Sequence, residues 1–443
     1  MRNFILRTLF ALAITANGVL GFQSLASASD AYEGIPRGYD FPADENRLLA
    51  YLDHNDVHAM RRHAWRVFEG LTTKSALGHG IPKWQTWYDV DDAFPSGHAG
   101  GVSRTMKLRD LEVPEELKDI QRPLPAGPVA APPAPDNALA TLLGQLILYN
   151  REAYCQIRAC GLYLKKHLDE LKAQGRTIDF PRTAIALKTS WVYVSQTGCT
   201  PIPVWNFRRL ASGLVINFQG RWPDPPVSVC PEAGPSDPFS KLYSVPILPE
   251  ELAQVRNVAG FDKANAGDYA VLVGFHFATR ELQNWVWATF WWHNLPDDGP
   301  WADDRPKTLK GVWRNYLMSV SYDMDRPREA DGKPHIAYNP YLEGQFPDGV
   351  TSNCMTCHRR ATWPLSGRVN TLLTDNERQS LSFPNIVVRG SDAAVNTYFN
   401  VPYDKLLKTS FLWSLVFHSK PQDADPNPPV PAGCECQCAT PPN

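Results

Sequence analysis

Cys354 and Cys357 stand three positions apart, His358 follows directly, and Arg359, Arg360, Trp363 and Pro364 come soon after. Two thiols at that spacing can add to the two vinyl groups of one porphyrin while the adjacent imidazole turns onto the iron. The pattern therefore points to one covalently attached c-type haem, with His358 as axial ligand. With nine cysteines and eleven histidines in 443 residues, such a run rarely arises by chance. Three competing readings are weaker on chemical grounds. A thioredoxin-like redox pair wants a strand before the first cysteine, and residues 345–353 read as loop. A zinc site needs further ligands, which the tail cysteines would have to supply. A plain disulfide gives His358 no part.

Residues 1–28 read as a cleaved export signal: Arg2 and Arg7 at the start, a mainly apolar stretch over 8–22, and Ala26-Ser27-Ala28 as a small-residue cleavage site. Thr15, Asn17 and Gly18 interrupt the apolar stretch, which argues against a membrane anchor. No later segment has eighteen consecutive apolar residues, so the expectation is a periplasmic mature chain without an integral membrane segment, cleaved near Ala28. Covalent haem attachment agrees with export. Lys and Arg number 44 against 46 Asp and Glu, a balance that suggests neither a nucleic acid nor an anionic membrane as partner. A redox partner protein or a small-molecule substrate fits better.

Seven cysteines remain outside the motif: Cys155, Cys160, Cys199, Cys230, Cys434, Cys436 and Cys438. In an oxidising compartment some should pair, and the odd number leaves at least one over. Cys155 and Cys160 fall in one helical stretch, about 8 Å apart on different faces, and cannot readily bridge to each other. The closing Cys-X-Cys-X-Cys resembles soft-metal chelating sequences. The favoured expectation is that one or two of its thiols bridge to Cys199 or Cys230 and pin the tail.

Apolar periodicity predicts helices over 45–52 and 56–69, the second carrying Val57, Met60, Ala64 and Val67 on one face with Gly70 to end it. A further helical zone is expected over 137–174, with Leu139, Leu142, Leu143 and Leu146 as its stripe and Gly175 as its stop. β-Branched and aromatic runs over 184–195, 213–218, 269–279 and 284–292 read as strands, the last two forming a hairpin. In the fourth, Trp285, Trp287, Thr289 and Trp291 face one way and Val286, Ala288, Phe290 and Trp292 the other, so both faces are apolar and both should be covered. Residues 296–348 read as loop with an ordered piece near 313–322, and 392–419 as helix. The expected fold class is α+β, a largely antiparallel sheet with flanking helices and a C-terminal haem-binding segment. Its parts are a signal (1–28), an N-terminal helical region (29–120), a Pro/Ala-rich loop (121–136), an α+β body (137–420) and a flexible Pro/Cys-rich tail (421–443).

The other side of the iron decides between chemistry and electron transfer. Every methionine lies at or before Met355, so the downstream methionine of small electron carriers is missing. Candidates for the sixth position are His418, His293, His276, Met318 and Met324, and His276 or His293 could equally act as a distal acid or base. His335 is a further upstream option. Arg359 and Arg360 are candidates to clamp the haem propionates.

Several of these stretches together are similar to a group of large exported monohaem cytochrome c family proteins of Gram-negative bacteria: His63-Ala64-Trp65 leading to Trp84-Gln85-Thr86-Trp87, then the run from Gln283 to Pro296, the run from Asn353 to Pro364, and the close from Lys408 to Leu415. The resemblance implies a periplasmic haem c protein with His358 on the iron, and supplies no substrate. Three functions are carried forward: a haem oxidoreductase with a pocket over the iron, an electron carrier with no substrate of its own, and a haem-based binder of a small ligand.

Overall fold

The computed structural model describes residues 33–76, 80–95, 108, 111, 144–205, 207–210, 213–216, 226–258, 260–333, 335–343, 353–359, 361–364, 405–421 and 429–437. The export signal, the 121–136 loop, Arg360 and Cys438 lie outside the described residues. From Tyr32 to Asn443 the chain forms one compact unit.

Helices α1 (Glu45–Asp53) and α2 (Val57–Leu71) lead into β1 (Tyr88–Asp89) and α3 (Val90–Ala93). Then come β2 (Gly144–Tyr149), α4 (Arg151–Ala159), α5 (Lys165–Ala173), β3 (Ile185–Val194), and the small strands β4 (Thr200–Ile202), β5 (Phe207–Leu210), β6 (Gly213–Ile216) and β7 (Val227–Val229). The second half carries β8 (Tyr243–Pro246), α6 (Leu252–Val255), β9 (Tyr269–Thr279), β10 (Val286–Trp292), β11 (Tyr316–Ser321), α7 (Pro340–Glu343), α8 (Cys354–His358), β12 (Thr362–Trp363), β13 (Leu407–Lys408) and α9 (Trp413–Phe417).

The main sheet runs β1-β2-β3-β9-β10-β11, with β8 also on β9, and every pairing in it is antiparallel. Cross-strand partners share a face, so the register sorts the side chains. On one side Phe275, Phe277 and Phe290 meet α2, where the Phe68 ring stacks on Phe290 at 4.2 Å. On the other, Tyr149, Ala278 and Trp287 meet α4, α5, α8 and α9. β10 is buried along its whole length, as expected for a strand covered on both faces.

Both early helices form where aspartates can cap them: Asp44 and Asp56 accept the N–H of Arg47 and Ala59 at 3.0 and 2.9 Å. Gly70 is not the stop signal expected. It lies inside the last turn, and a Cβ there would sit 2.7 Å from Ile35 and 2.9 Å from Tyr39, so close packing explains it. The helix expected over 137–174 holds over 151–159 and 165–173 but not over 144–149, while 137–143, with Leu139, Leu142 and Leu143, lie outside the described residues. Residues 144–149 form β2, with Leu146 and Leu148 on one face and Ile147 and Tyr149 on the other. The Asn150 side chain caps α4 through Ala153 N (3.0 Å) and also accepts from Ile185 N (2.9 Å), which fixes the helix start after the strand. Gly175 follows α5 at φ +62, as a stop should.

The helix expected over 392–419 is replaced over 405–412 by β13 and a loop; 392–404 lie outside the described residues. Ser410 and Phe411 take φ +51 and +64, which a right-handed helix cannot contain. The tail is tied down rather than loose over 429–437. Its cysteines pair not with Cys199 or Cys230 but with α4: Cys155–Cys434 and Cys160–Cys436, while Cys199 pairs with Cys230. Beside the two clamp bonds, Gln156 and Gln437 exchange hydrogen bonds of 3.0 and 3.1 Å. Among the described residues no helix is long and apolar enough to cross a membrane.

The turn between β9 and β10 is anchored by Glu281, which is fully buried. Its carboxylate accepts from Ala43 N and Thr279 Oγ1, both at 2.6 Å, and lies 3.1 Å from His63 Nε2. Asp40 approaches His63 Nδ1 at 3.4 Å, a Coulombic contact longer than a formed hydrogen bond with good geometry. Burial alone would lower the His63 pKa, but the Glu281 charge and the contacts with Asp40 and Glu281 outweigh it and push it up to about 9.

Candidate functional site

Helix α8 is short and held from below. Met355 is fully buried, and Asn353 ties the helix start to the chain after β11: its Oδ1 accepts from Met355 N at 3.0 Å, and its Nδ2 donates to Asp323 O and Met324 O at 3.3 and 3.0 Å. The helix brings His358 over the hairpin, with its ring 4.3 Å from that of Trp287. His358 Nδ1 lies 2.8 Å from the Phe411 carbonyl oxygen. A carbonyl only accepts, so Nδ1 carries a proton, and in the neutral ring the lone pair then falls on Nε2.

The Phe411 carbonyl is aimed by an unusual loop. β13 pairs with β12, and Thr409 N and Oγ1 reach the Ala361 carbonyl at 3.1 and 3.0 Å. Ser410 and Phe411 then turn through the left-handed region, and Trp285, also left-handed at φ +62, donates Nε1–H to Ser410 Oγ at 3.2 Å. Left-handed backbone at a non-glycine residue costs on the order of 1–3 kcal/mol and persists where the surroundings over-determine it. Here three such residues converge on one imidazole.

A cleft of about 590 Å³ opens beside the motif, with Arg359, Lys408, Phe411 and Met324 in its wall. Arg280 and Asp179 also line it and pair with each other at 2.7 Å. Asp323 and Asp325 line it too, so the cleft mixes both signs of charge with apolar groups next to α8.

On the sheet face that carries Trp287, the next row along is Ile147, Lys188, His276, Thr289 and Ser319, each opposite the next. Asn339 donates to Thr289 Oγ1 at 2.7 Å and thereby docks α7, whose Glu343 Oε2 accepts from Asn339 N at 2.5 Å. Burial pushes the Glu343 carboxyl up to about 8. Burial first, then the charges of Lys188 and His358, hold the His276 pKa well below the usual histidine value, so its ring is neutral. Although crowded by protein, that ring still borders open space and has no hydrogen-bond partner among the described residues.

The other candidates fall elsewhere. His293 is buried with both nitrogens engaged: Nε2 with the Trp205 carbonyl at 2.8 Å, Nδ1 with Leu295 N at 2.9 Å. His335 is likewise held between Ser319 Oγ, at 2.8 Å, and Glu329. Met318 sits opposite Phe290 and packs into the cluster on the far face of the sheet from Trp287. His418 packs on Phe94, which packs on Tyr149 of β2, three strands from Trp287. Met324 stays near the motif, in the cleft wall. Cys434 and Cys436 are consumed by disulfides, which removes them as zinc ligands. Sequence reasoning missed the Phe411 carbonyl, Lys188 and Glu343. Only Lys188, a lone charge inside an apolar strand, carried a signal that could have been seen.

The arrangement fits a covalent haem: two cysteines on one short helix, and an imidazole whose tautomer is set by a backbone acceptor. No protein-family model, no curated protein and no solved structure matches the chain.

Proposed function

We propose that this chain is an exported protein that moves electrons through one haem c, held by Cys354 and Cys357 and ligated by His358. The observation that carries the reading is the 2.8 Å contact from His358 Nδ1 to the Phe411 carbonyl. Metal-binding imidazoles are oriented and made more basic in this way, by donating the other ring N–H to a fixed acceptor. A merely structural histidine would not require three left-handed residues to place that acceptor. Three disulfides and the 1–28 leader support export to an oxidising compartment.

When bound, the haem supplies a one-electron couple whose potential is set by its axial ligands, burial and hydrogen bonds. The chain's own residues supply those terms. Phe411 fixes the imidazole, Trp287 packs against its ring, and Arg359 and Lys408 in the cleft wall are the cations that would meet the propionates. A second reading, an oxidoreductase with its own small-molecule substrate, is favoured by Glu343, whose carboxyl keeps its proton to about pH 8 and could donate it.

The test is a denaturing gel stained for haem. Wild-type chain should give a haem-positive band, and the Cys354→Ala/Cys357→Ala double variant should lose the stain entirely. A wild-type band without haem would sink the proposal. Carbon monoxide added to the reduced protein separates the two readings: binding supports the oxidoreductase and its open position, refusal the electron carrier.

A further inference from the structure

We infer that His276 is the second axial ligand, on the opposite side of the iron from His358; the inference rests on the haem reading above. The placement follows from the register. His358 packs on Trp287 of β10. Its Nδ1 is taken up by the Phe411 carbonyl, which leaves Nε2 for the iron. The next row on that face is Thr289 with His276 directly opposite, about 6.6 Å further along the strand. His276 therefore stands one row from the ring packed on Trp287, on the same face of the sheet.

The state of His276 agrees. A core histidine normally satisfies at least one nitrogen by a hydrogen bond, as His293 and His335 do here. His276 satisfies neither among the described residues and is only partly covered, on a strand paired along both edges.

The experiment compares absorption and electron paramagnetic resonance spectra of haem-loaded wild-type, His276→Ala and His276→Met proteins. Wild type is expected to be low-spin and to refuse carbon monoxide when reduced. His276→Ala should become high-spin, bind carbon monoxide, and return to low-spin on addition of imidazole. His276→Met, which keeps the bulk and offers a thioether, should stay largely low-spin with a raised reduction potential. Haem content unchanged with the wild-type spectrum retained in both variants overturns the assignment alone, as does a high-spin wild type. A wild-type chain without covalent haem overturns the proposed function and this assignment together. Should His276→Ala fail to fold, the raised potential of His276→Met decides the matter: no change in it overturns the assignment.

Discussion

Removing either clamp bond alone, as Cys155→Ser/Cys434→Ser or Cys160→Ser/Cys436→Ser, is expected to cost roughly 2 kcal/mol of stability, and removing both about 5 kcal/mol. The two bonds close loops of almost the same size, 279 and 276 residues. Once one has formed, the second closes only a small ring of a few residues on each strand, and loop entropy grows slowly with length. The first bond to form therefore does most of the work, whichever it is. Thermal unfolding of the three variants under oxidising conditions checks this. Single-pair losses that add up to the loss in the quadruple variant would show that the bonds act separately, through local packing and not through the shared loop.

Glu281→Ala is expected to destabilise the protein by about 3–5 kcal/mol, because it strips the buried His63 imidazolium of its nearer, fully buried carboxylate and leaves it only the half-exposed Asp40 at 3.4 Å. The pH dependence has a definite sign. The folded His63 pKa, about 9, lies above its unfolded value of 6.5, so its contribution is fully present below pH 6.5 and is lost as pH rises towards 9. Asp40 moves the other way: the His63 contact, helped by Arg47, holds it at about 2 against an ordinary 3.8, so its contribution is present above 3.8 and fades towards pH 2. Urea midpoints measured between pH 6 and 9 should fall for wild type and stay flatter for His63→Gln. A parallel fall in both proteins would assign the alkaline loss to other groups. Since Glu281 sits in the turn that leads to Trp285 and Trp287, its loss should also loosen the seat of His358.

Much of this frame could be read from residues. The strands over 269–279 and 286–292 and their hairpin follow from β-branched and aromatic runs, and the two N-terminal helices from capping aspartates and apolar spacing. β2 escaped because Leu-rich runs satisfy a helical stripe and an alternating strand almost equally well, and the choice lay with a neighbour, β3, about 40 residues away. The motif itself was plain, but its orienting acceptor was not. A backbone carbonyl 53 residues downstream carries no side-chain signature, and the left-handed turn that aims it uses Ser and Phe where a glycine would have drawn attention. His276 could be named as a candidate from the hairpin; its separation from His293 required the register and the hydrogen bonds of the folded chain.

The clamp also sets an order of assembly. A chain that emerges N-terminus first presents Cys155 and Cys160 long before Cys434 and Cys436 exist to meet them. Cys199 and Cys230, 31 residues apart, can close early. The thiols of Cys354 and Cys357 then pass while Cys155 and Cys160 are still reduced, so exchange among these four is the main competing reaction. Helix α4 guards against one error, since it holds its own two cysteines out of reach of each other. Cys434 and Cys436, arriving late, thus seal what was made before them, and a chain whose middle has not reached its place offers α4 no partner to bind.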